Sequence, residues 1–201
     1  LVGIRVDASQ FDSIPTRSYH MRLLRVQVPS NYDPVARTYA GAWDGTFKIA
    51  WTNNPAWCFY DLVTSERYGL GQHVLPNSVD KWTLYSIGKY CDELVPDGKG
   101  GTEPRFALNV YLQTREEAYK LLTDMASAFR SMLYWSGGSI VTTQDAPGDA
   151  SYLFTNSNVI EGEFSYSGSS VKARHTVALV TWNDLTDMGR QKVEYVEDAA
   201  G

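Results

Sequence analysis

The chain has 201 residues, of which 43% are hydrophobic and 20% are charged, a composition typical of a folded globular protein rather than a disordered one. Its 18 basic and 23 acidic side chains give a net charge of −5, which argues against nucleic acid as the main partner. No apolar run approaches the roughly 20 residues that a membrane span needs, and no export leader opens the chain. Because the chain starts at Leu1 and stops at Ala-Ala-Gly, we expect a fragment of a larger protein.

The N-terminal part predicts one strand followed by one helix. Residues 20–28 alternate between apolar and polar side chains, the pattern of a half-buried strand. The helix begins at Asn54, which can cap it, and at Pro55, which suits a first turn. Gly69 and Gly71 end it. Its apolar positions are Trp57, Tyr60 and Val63.

The middle of the chain predicts two more helices. The second opens at Ser78 and stops before Pro96, and its apolar positions are Leu84, Ile87, Cys91 and Leu94. The third opens with a capping box formed by Thr114 and Glu117. Its apolar stripe consists of Ala118, Leu122, Met125, Phe129 and Met132.

Four further segments predict strands. Residues 106–112 alternate at the period of a half-buried strand. Residues 133–135 and 140–143 flank Ser-Gly-Gly at 136–138, which indicates a hairpin. Residues 174–182 are apolar on both faces, which favours a central strand.

The order of these elements favours an α+β fold, since regular β-α-β alternation is absent. We expect a mixed, β-rich module with about three α-helices packed on antiparallel sheets. Residues 1–48 are expected to form an N-terminal β segment, 49–150 an α+β core subdomain, and 151–201 a truncated C-terminal β segment.

Cys58 and Cys91 are the two cysteines, and each falls within a predicted helix. Disulfide-dependent secreted domains usually carry several cysteines spaced through loops. Two buried free thiols in a reducing compartment are therefore the favoured interpretation. A single bridge between the two helices is the alternative.

No motif for a cofactor or a metal stands out. His20, His73 and His175 lie far apart and lack the spacing of metal ligands, so no metal site is predicted. The glycine-rich strings at 69–71 and 97–101 lack phosphate-binding spacing. We therefore predict no cofactor.

Carboxylate pairs are the hardest enzymatic alternative to exclude, because a glycosidase needs only two that the fold brings together. The candidates are Asp44, Asp61, Glu103 and Glu163. Each also has a plainer role, such as the turn at Asp44-Gly45. The favoured interpretation is a protein without catalytic residues.

Short, distinctive strings extend over nearly the whole chain. They include Trp-Asp-Gly-Thr-Phe-Lys at 43–48, Thr-Asn-Asn-Pro-Ala-Trp-Cys at 52–58, Arg-Tyr-Gly-Leu-Gly at 67–71, Val-Asp-Lys-Trp at 79–82 and Ile-Gly-Lys-Tyr-Cys-Asp at 87–92. Further strings lie at 3–7, 26–32, 95–98, 100–105, 157–159 and 164–167. Together they closely resemble the lambda-type phage tail tip family known as host specificity protein J.

The resemblance implies a virion structural protein of a phage, a prophage or a tail-like bacteriocin. Members of this family form the central hub, or baseplate hub, at the distal end of a non-contractile tail, as a homotrimer that contacts neighbouring tail-tip proteins. Receptor recognition is assigned to the far C-terminal end of the family, whereas this segment resembles the hub. The resemblance therefore implies a segment that is assembled in the host cytoplasm, sits at the virion tail tip and positions the receptor-binding end. Two other functions stay open: a carbohydrate-binding module for the host surface, and a tail-associated cell-wall hydrolase.

Three aromatic residues are candidates for the trimer interface. Tyr32, Tyr39 and Trp43 lie in loops outside the clearly periodic elements. Interfaces of obligate oligomers are more apolar than the rest of the surface. The alternative is that these side chains simply cover the core.

Overall fold

The computed structural model of the chain describes residues 3–7, 9–14, 16, 19–112, 117–136, 139–170 and 175–197. The chain divides into two compact units, which we call the central unit (Arg22–Asp149) and the terminal unit (Leu1–Met21 with Ala150–Gly201). The division at 48/49 and 150/151 expected from the sequence stays a prediction.

The predicted fold class is confirmed, because helices and antiparallel two-stranded sheets are mixed along the chain. The helices are α1 (Pro55–Thr64), α2 (Lys81–Asp92) and α3 (Ala118–Ser127). The strands of the central unit are β1 (Val26–Pro29), β2 (Tyr32–Asp33), β3 (Thr38–Tyr39), β4 (Phe47–Ala50), β5 (Leu94–Pro96), β6 (Thr102–Pro104), β7 (Ser131–Ser136) and β8 (Ser139–Gln144). They pair as β1–β4, β2–β3, β5–β6 and β7–β8.

Helix α1 begins where the sequence predicts. The Asn54 side-chain oxygen accepts the backbone N–H of Ala56 at 3.0 Å, and Pro55 occupies the first turn. The helix ends at Thr64, ahead of the predicted glycines. It packs against β1, α2 and α3, so it forms the middle of the core. The core includes Val26, Val28, Tyr32, Trp57, Phe59, Val63, Leu84, Ile87, Leu122, Met125, Phe129 and Ile140.

Helix α2 is shorter at both ends than predicted. Asp80 is its N-cap, because this carboxylate accepts the backbone N–H groups of Trp82 and Thr83, each at 3.1 Å. Ser78 instead ends a short 3₁₀ turn. Leu94, predicted on the helix, lies on β5 and is exposed.

Helix α3 buries Leu122 and Met125 of its predicted stripe and also Ala126, whereas Ala118 of that stripe is exposed. Glu117 precedes it without a side-chain capping bond, and Thr114, the other half of the predicted capping box, lies outside the described residues. The chain leaves the helix through Arg130, whose φ is +56°. Two positions predicted on the stripe therefore lie beyond the helix: Phe129 is buried after it, and Met132 is exposed on β7.

The central unit also tests a predicted hairpin and two predicted single strands: the hairpin is confirmed, one strand is shorter than predicted, and the other prediction is wrong. The β7–β8 hairpin is confirmed, although residues 137–138 of its turn lie outside the described residues. The first strand is limited to β1, where Val26 and Val28 are buried and Leu24 is exposed before it. Residues 106–112 are irregular, because the N–H groups of Phe106 and Leu108 bond to the carbonyls of Cys91 and Asn53 instead of a strand ladder.

The terminal unit contains a hairpin of β9 (Val177–Asp184) and β10 (Arg190–Glu197). The strands are antiparallel, with Val177 opposite Glu197 and Asp184 opposite Arg190. The strand predicted at 174–182 is confirmed from Val177 onward, but its predicted central position is wrong, and position 174 lies outside the described residues. Within the described part of the chain β9 pairs with β10 alone, and most side chains on both faces are exposed. Apolar side chains on both faces therefore do not by themselves distinguish a central strand from a two-stranded ribbon.

Candidate functional site

The three predicted interface residues lie together in one aromatic cluster of the central unit. Tyr32 and Tyr39 face each other across β2–β3 with ring centroids 4.7 Å apart, and Tyr39 contacts Tyr85 of α2 at 5.2 Å. Trp43 stacks on Tyr85 at 4.9 Å and meets Trp57 of α1 edge-on at 6.1 Å. Tyr32 and Trp43 are buried and Tyr39 is half-buried within this chain. Contact of these residues with another subunit stays a prediction.

Beneath the cluster lies a buried carboxylate, Asp92 at the end of α2, whose side chain is 3% exposed. Its Oδ1 accepts Arg37 Nε at 2.5 Å. Its Oδ2 accepts the Tyr39 hydroxyl at 3.0 Å and Asn54 Nδ2 at 2.7 Å. The Trp57 indole N–H in turn donates to the Tyr39 hydroxyl at 2.9 Å. This network links β3, α1 and α2 through paired polar groups, which is how a buried charge is tolerated.

Arg37 connects the network to two more segments. Its guanidinium also donates to the Asn53 side-chain oxygen and, at 3.0 Å, to the Phe106 carbonyl. Its φ of +56° is uncommon for a residue with a side chain and fits the tight turn between β2 and β3. Sequence reasoning missed Arg37 and Asp92, because they are 55 positions apart and neither belongs to a local motif.

The protonation of these groups follows from their burial. Burial raises the pKa of Asp92, and the neighbouring Arg37 charge opposes that rise. Burial also raises the pKa of both Tyr32 and Tyr39, and the negative charge of Asp92 adds to the effect. Both tyrosines therefore remain neutral: the Tyr39 hydroxyl donates to the carboxylate, and the Tyr32 hydroxyl shares a hydrogen bond with the Thr52 hydroxyl at 3.3 Å. This arrangement is suited to rigid structure, since its polar atoms bond to one another.

The four candidate carboxylates each have a local setting of their own. Asp44 is exposed and accepts the Thr46 hydroxyl at 2.6 Å and the Thr46 backbone N–H at 2.9 Å in the predicted turn, and these bonds lower its pKa. Asp61 is buried and accepts the Gln27 N–H at 2.8 Å and the Tyr68 hydroxyl. The other two, Glu103 on β6 and Glu163 in the terminal unit, are exposed. None of the four hydrogen-bonds to another among the described contacts.

The histidines and cysteines show no assembled site either. Among the described residues, no group of three or more His, Cys, Asp or Glu side chains could hold a metal ion. Cys58 is half-buried and Cys91 is buried, and both are free thiols. Burial raises the pKa of both thiols to about 12, so they stay protonated and weakly nucleophilic at neutral pH.

The β9–β10 hairpin of the terminal unit has an exposed apolar face. Cross-strand pairing places Val177, Leu179, Val193 and Tyr195 on one face, and all four are exposed. In the central unit, Met132 and Tyr134 on β7 are also exposed. Exposed apolar faces of this kind mark surfaces that contact other proteins. None of the helices in the described ranges is long and apolar enough to cross a bilayer.

Comparison with known proteins identifies the family. A family profile described as "Putative phage tail protein" matches residues 117–201. The tip attachment protein J of Escherichia phage SECphi27 is 51% identical over 199 residues, which is 98% of this chain and 17% of that protein. The protein of the same name from Escherichia phage SECphi4 is 40% identical over 185 residues, which is 92% of this chain and 16% of that protein. The chain thus spans about a sixth of the length of these relatives, and as one segment it belongs to the tip attachment protein J family of phage tails.

Proposed function

We propose that this chain is a non-catalytic structural segment of a phage or prophage tail tip. In this proposal it forms part of the central hub that ends the tail tube, and it positions the receptor-binding end of the longer protein. The observation that carries the proposal is the 51% identity over 98% of the chain with a phage protein named for tip attachment. Identity at that level over 199 residues implies the same fold and the same place in the longer protein.

The exposed apolar surface supports assembly into a larger particle. A two-stranded hairpin is at best marginally stable alone in water, yet β9–β10 exposes apolar side chains on both faces. We infer that copies of the same chain in a homotrimer, or neighbouring tail-tip proteins, cover these faces in the virion. Obligate interfaces of this type are large and apolar.

The described residues also favour structure over hydrolysis. A retaining or inverting glycosidase needs two carboxyl groups about 5 to 10 Å apart across a cleft. Asp61 is already bonded to the Gln27 backbone and to Tyr68, and Asp44 is bonded within its own turn. A cell-wall hydrolase predicts peptidoglycan release by the purified chain, and we expect no release above a heat-denatured control.

Immunoelectron microscopy of intact particles tests the proposed location. An antibody raised against the 201-residue chain should label the distal end of the tail. The matched control is the same antibody after adsorption with the purified chain, which should leave the particles unlabelled. Label on the capsid or along the tail shaft would disprove the proposal.

The trimer interface at Tyr32, Tyr39 and Trp43 is a separate proposal. Tyr39→Ala and Trp43→Ala in the full-length protein should lower the trimer fraction measured by light scattering. The 201-residue chain carrying the same changes reports their effect on folding. Loss of trimer with little change in unfolding supports the interface. Loss of both in proportion supports the alternative that these residues cover the core.

A further inference from the structure

A groove of about 600 Å³ opens in the central unit between the β1–β4 sheet and the start of α2. Its walls include Gln27 on β1, Phe47 on β4, Tyr60 on α1 and Trp82 on α2. Its volume lies within the range of small-molecule sites, which combine apolar walls with a few placed polar groups. None of these residues belongs to the Asp92 network, so the groove is a distinct feature.

Trp82 provides an open aromatic wall. Its side chain is 53% exposed, although it lies on a helix beside the core. One side of the indole is held by Trp43, with ring centroids 4.9 Å apart and planes inclined at 61°. The ring orientation is therefore set before any ligand binds, which reduces the entropy lost on binding.

Tyr60 provides a polar group on the wall of the groove. The residue is 3% exposed, and its ring stacks on Phe47 with centroids 4.5 Å apart. It lines the groove, and none of the hydrogen bonds among the described residues involves its hydroxyl. A hydroxyl can both donate and accept a hydrogen bond. A ligand in the groove can therefore bond to it without displacing another protein group.

Further hydrogen-bonding groups lie along the same walls. Lys81 Nζ donates to the Gly45 carbonyl at 2.9 Å and lies 5.5 Å from the centroid of the Trp82 ring, which leaves two N–H groups to donate. Asn77 is exposed and offers both a donor and an acceptor. Gln27 donates to the Thr64 hydroxyl at 3.3 Å, which leaves its carbonyl oxygen to accept.

We propose that this groove binds a saccharide, with one sugar ring against Trp82 and its hydroxyls bonded to Tyr60, Asn77 and Lys81. A pyranose has an apolar C–H face and a rim of hydroxyls that both donate and accept. That chemistry matches one flat aromatic wall surrounded by mixed neutral donors and acceptors. Asp80 and Lys81 both line the groove, so it carries one charge of each sign, which favours a neutral ligand over an anionic one. The proposal does not depend on the position of the chain in the tail.

Saturation-transfer NMR on the complete 201-residue chain tests the proposal. The probes are methyl glycosides of glucose, galactose, mannose and N-acetylglucosamine, each up to about 10 mM, which covers weak binding. We expect transfer from the protein to the C–H face of at least one sugar. No transfer to any of the four would overturn the proposal.

Two variants and one control locate the binding. Trp82→Ala should weaken binding by about ten-fold or more, since it removes the stacking wall. Tyr60→Phe removes only the hydroxyl and should weaken binding about two- to ten-fold, with an unchanged or higher melting temperature. Trp135→Ala is the matched control, because Trp135 is a 63% exposed tryptophan on β7 that does not line the groove. Equal losses in Trp82→Ala and Trp135→Ala, or full binding by both groove variants, would overturn the site.

Discussion

Both units of the chain contain large apolar side chains, but the central unit buries many of them and the β9–β10 hairpin of the terminal unit exposes them. In the central unit, Trp57, Phe59 and Val28 are fully buried by elements that lie between residues 26 and 140. In the terminal unit, Leu179 is 72% exposed and Tyr195 is also exposed on a ribbon of two strands. The central unit therefore supplies its own core. The terminal unit instead leaves apolar side chains exposed, as surfaces that bind other proteins do.

The buried polar network sharpens this contrast. In the central unit, Arg37 and Asp92 form a buried ion pair. Its hydrogen bonds connect the β2–β3 turn with the start of α1 and the end of α2. In the terminal unit the comparable pair, Lys192 with Asp184, lies at the mouth of the hairpin turn. A buried pair holds a domain in one geometry, whereas a pair beside solvent contributes little. We infer that rigidity resides in the central unit.

The largest effect is expected from Trp57→Ala. The indole is fully buried, contacts Trp43 and Phe47, and donates a hydrogen bond to Tyr39. Removing it should lower the free energy of unfolding by about 3–5 kcal/mol, as measured by urea denaturation followed by far-ultraviolet circular dichroism. Trp135→Ala, an exposed control, should change it by no more than about 0.5 kcal/mol. Equal effects would show that the central unit has no closed core.

The second effect concerns the Arg37–Asp92 pair. Asp92→Ala leaves the guanidinium of Arg37 buried without its carboxylate, which should cost about 3 kcal/mol in the same urea assay. The double change Arg37→Met with Asp92→Leu removes both charges and should recover a large part of that loss. If the double variant were less stable than Asp92→Ala by a further similar amount, the two side chains would act independently.

Local signals predicted the parts of the fold that depend on neighbours in sequence. Asn54 and Pro55 marked the start of α1, because a side-chain cap and a proline act within one turn. The helical stripes were extended too far at Leu94 and Met132, because periodicity does not show where the backbone turns. For α3 the turn is at Arg130, where a positive φ redirects the chain.

The candidate sites depend on contacts between distant residues and were less predictable. The sequence predicts loops at Tyr32, Tyr39 and Trp43, whereas Tyr32 and Tyr39 lie on the short strands β2 and β3, and Tyr85 of α2 contacts Tyr39 and Trp43. The alternation at 106–112 is typical of a strand, but the N–H groups of Phe106 and Leu108 bond to the carbonyls of Cys91 and Asn53 and not to a neighbouring strand. The position of Tyr60 on the groove wall cannot be predicted from the sequence, because residues of β1, β4 and α2 form the rest of the groove.

A smaller effect is expected for Leu179→Ser on the terminal ribbon. Because this side chain is already exposed, the unfolding free energy of the 201-residue chain should change by about 0.5 kcal/mol or less. In the full-length protein the same change should lower incorporation into tails, measured by immunoblotting of purified particles. Val28→Ser is the buried counterpart and should cost about 2–4 kcal/mol in the isolated chain. Comparable destabilisation of the isolated chain by both would mean that β9 belongs to a core after all.

The smallest effect is the pH response of the terminal hairpin turn. Lys192 and Thr186 donate hydrogen bonds to Asp184 and lower the pKa of that carboxyl below its ordinary 3.8. The contribution of Asp184 to the folded turn is therefore fully present above pH 3.8, and it is lost as the pH falls through the lower, folded-state value. We expect the Thr186 amide resonance, whose N–H donates to Asp184 at 2.8 Å, to shift only below pH 3.8.

Two variants separate Asp184 from its acidic neighbour. Asp187 lies 3.6 Å from the same Lys192 ammonium and 3.8 Å from Arg190, so it is the other carboxyl facing this turn. Asp184→Asn keeps a side-chain acceptor for Thr186 but removes the titrating charge, and it should abolish the acid shift of the Thr186 resonance. Asp187→Asn should leave that shift in place. The reverse pattern would assign the acid response to Asp187, and the ribbon would then be held at its turn by a different pair from the one that its geometry indicates.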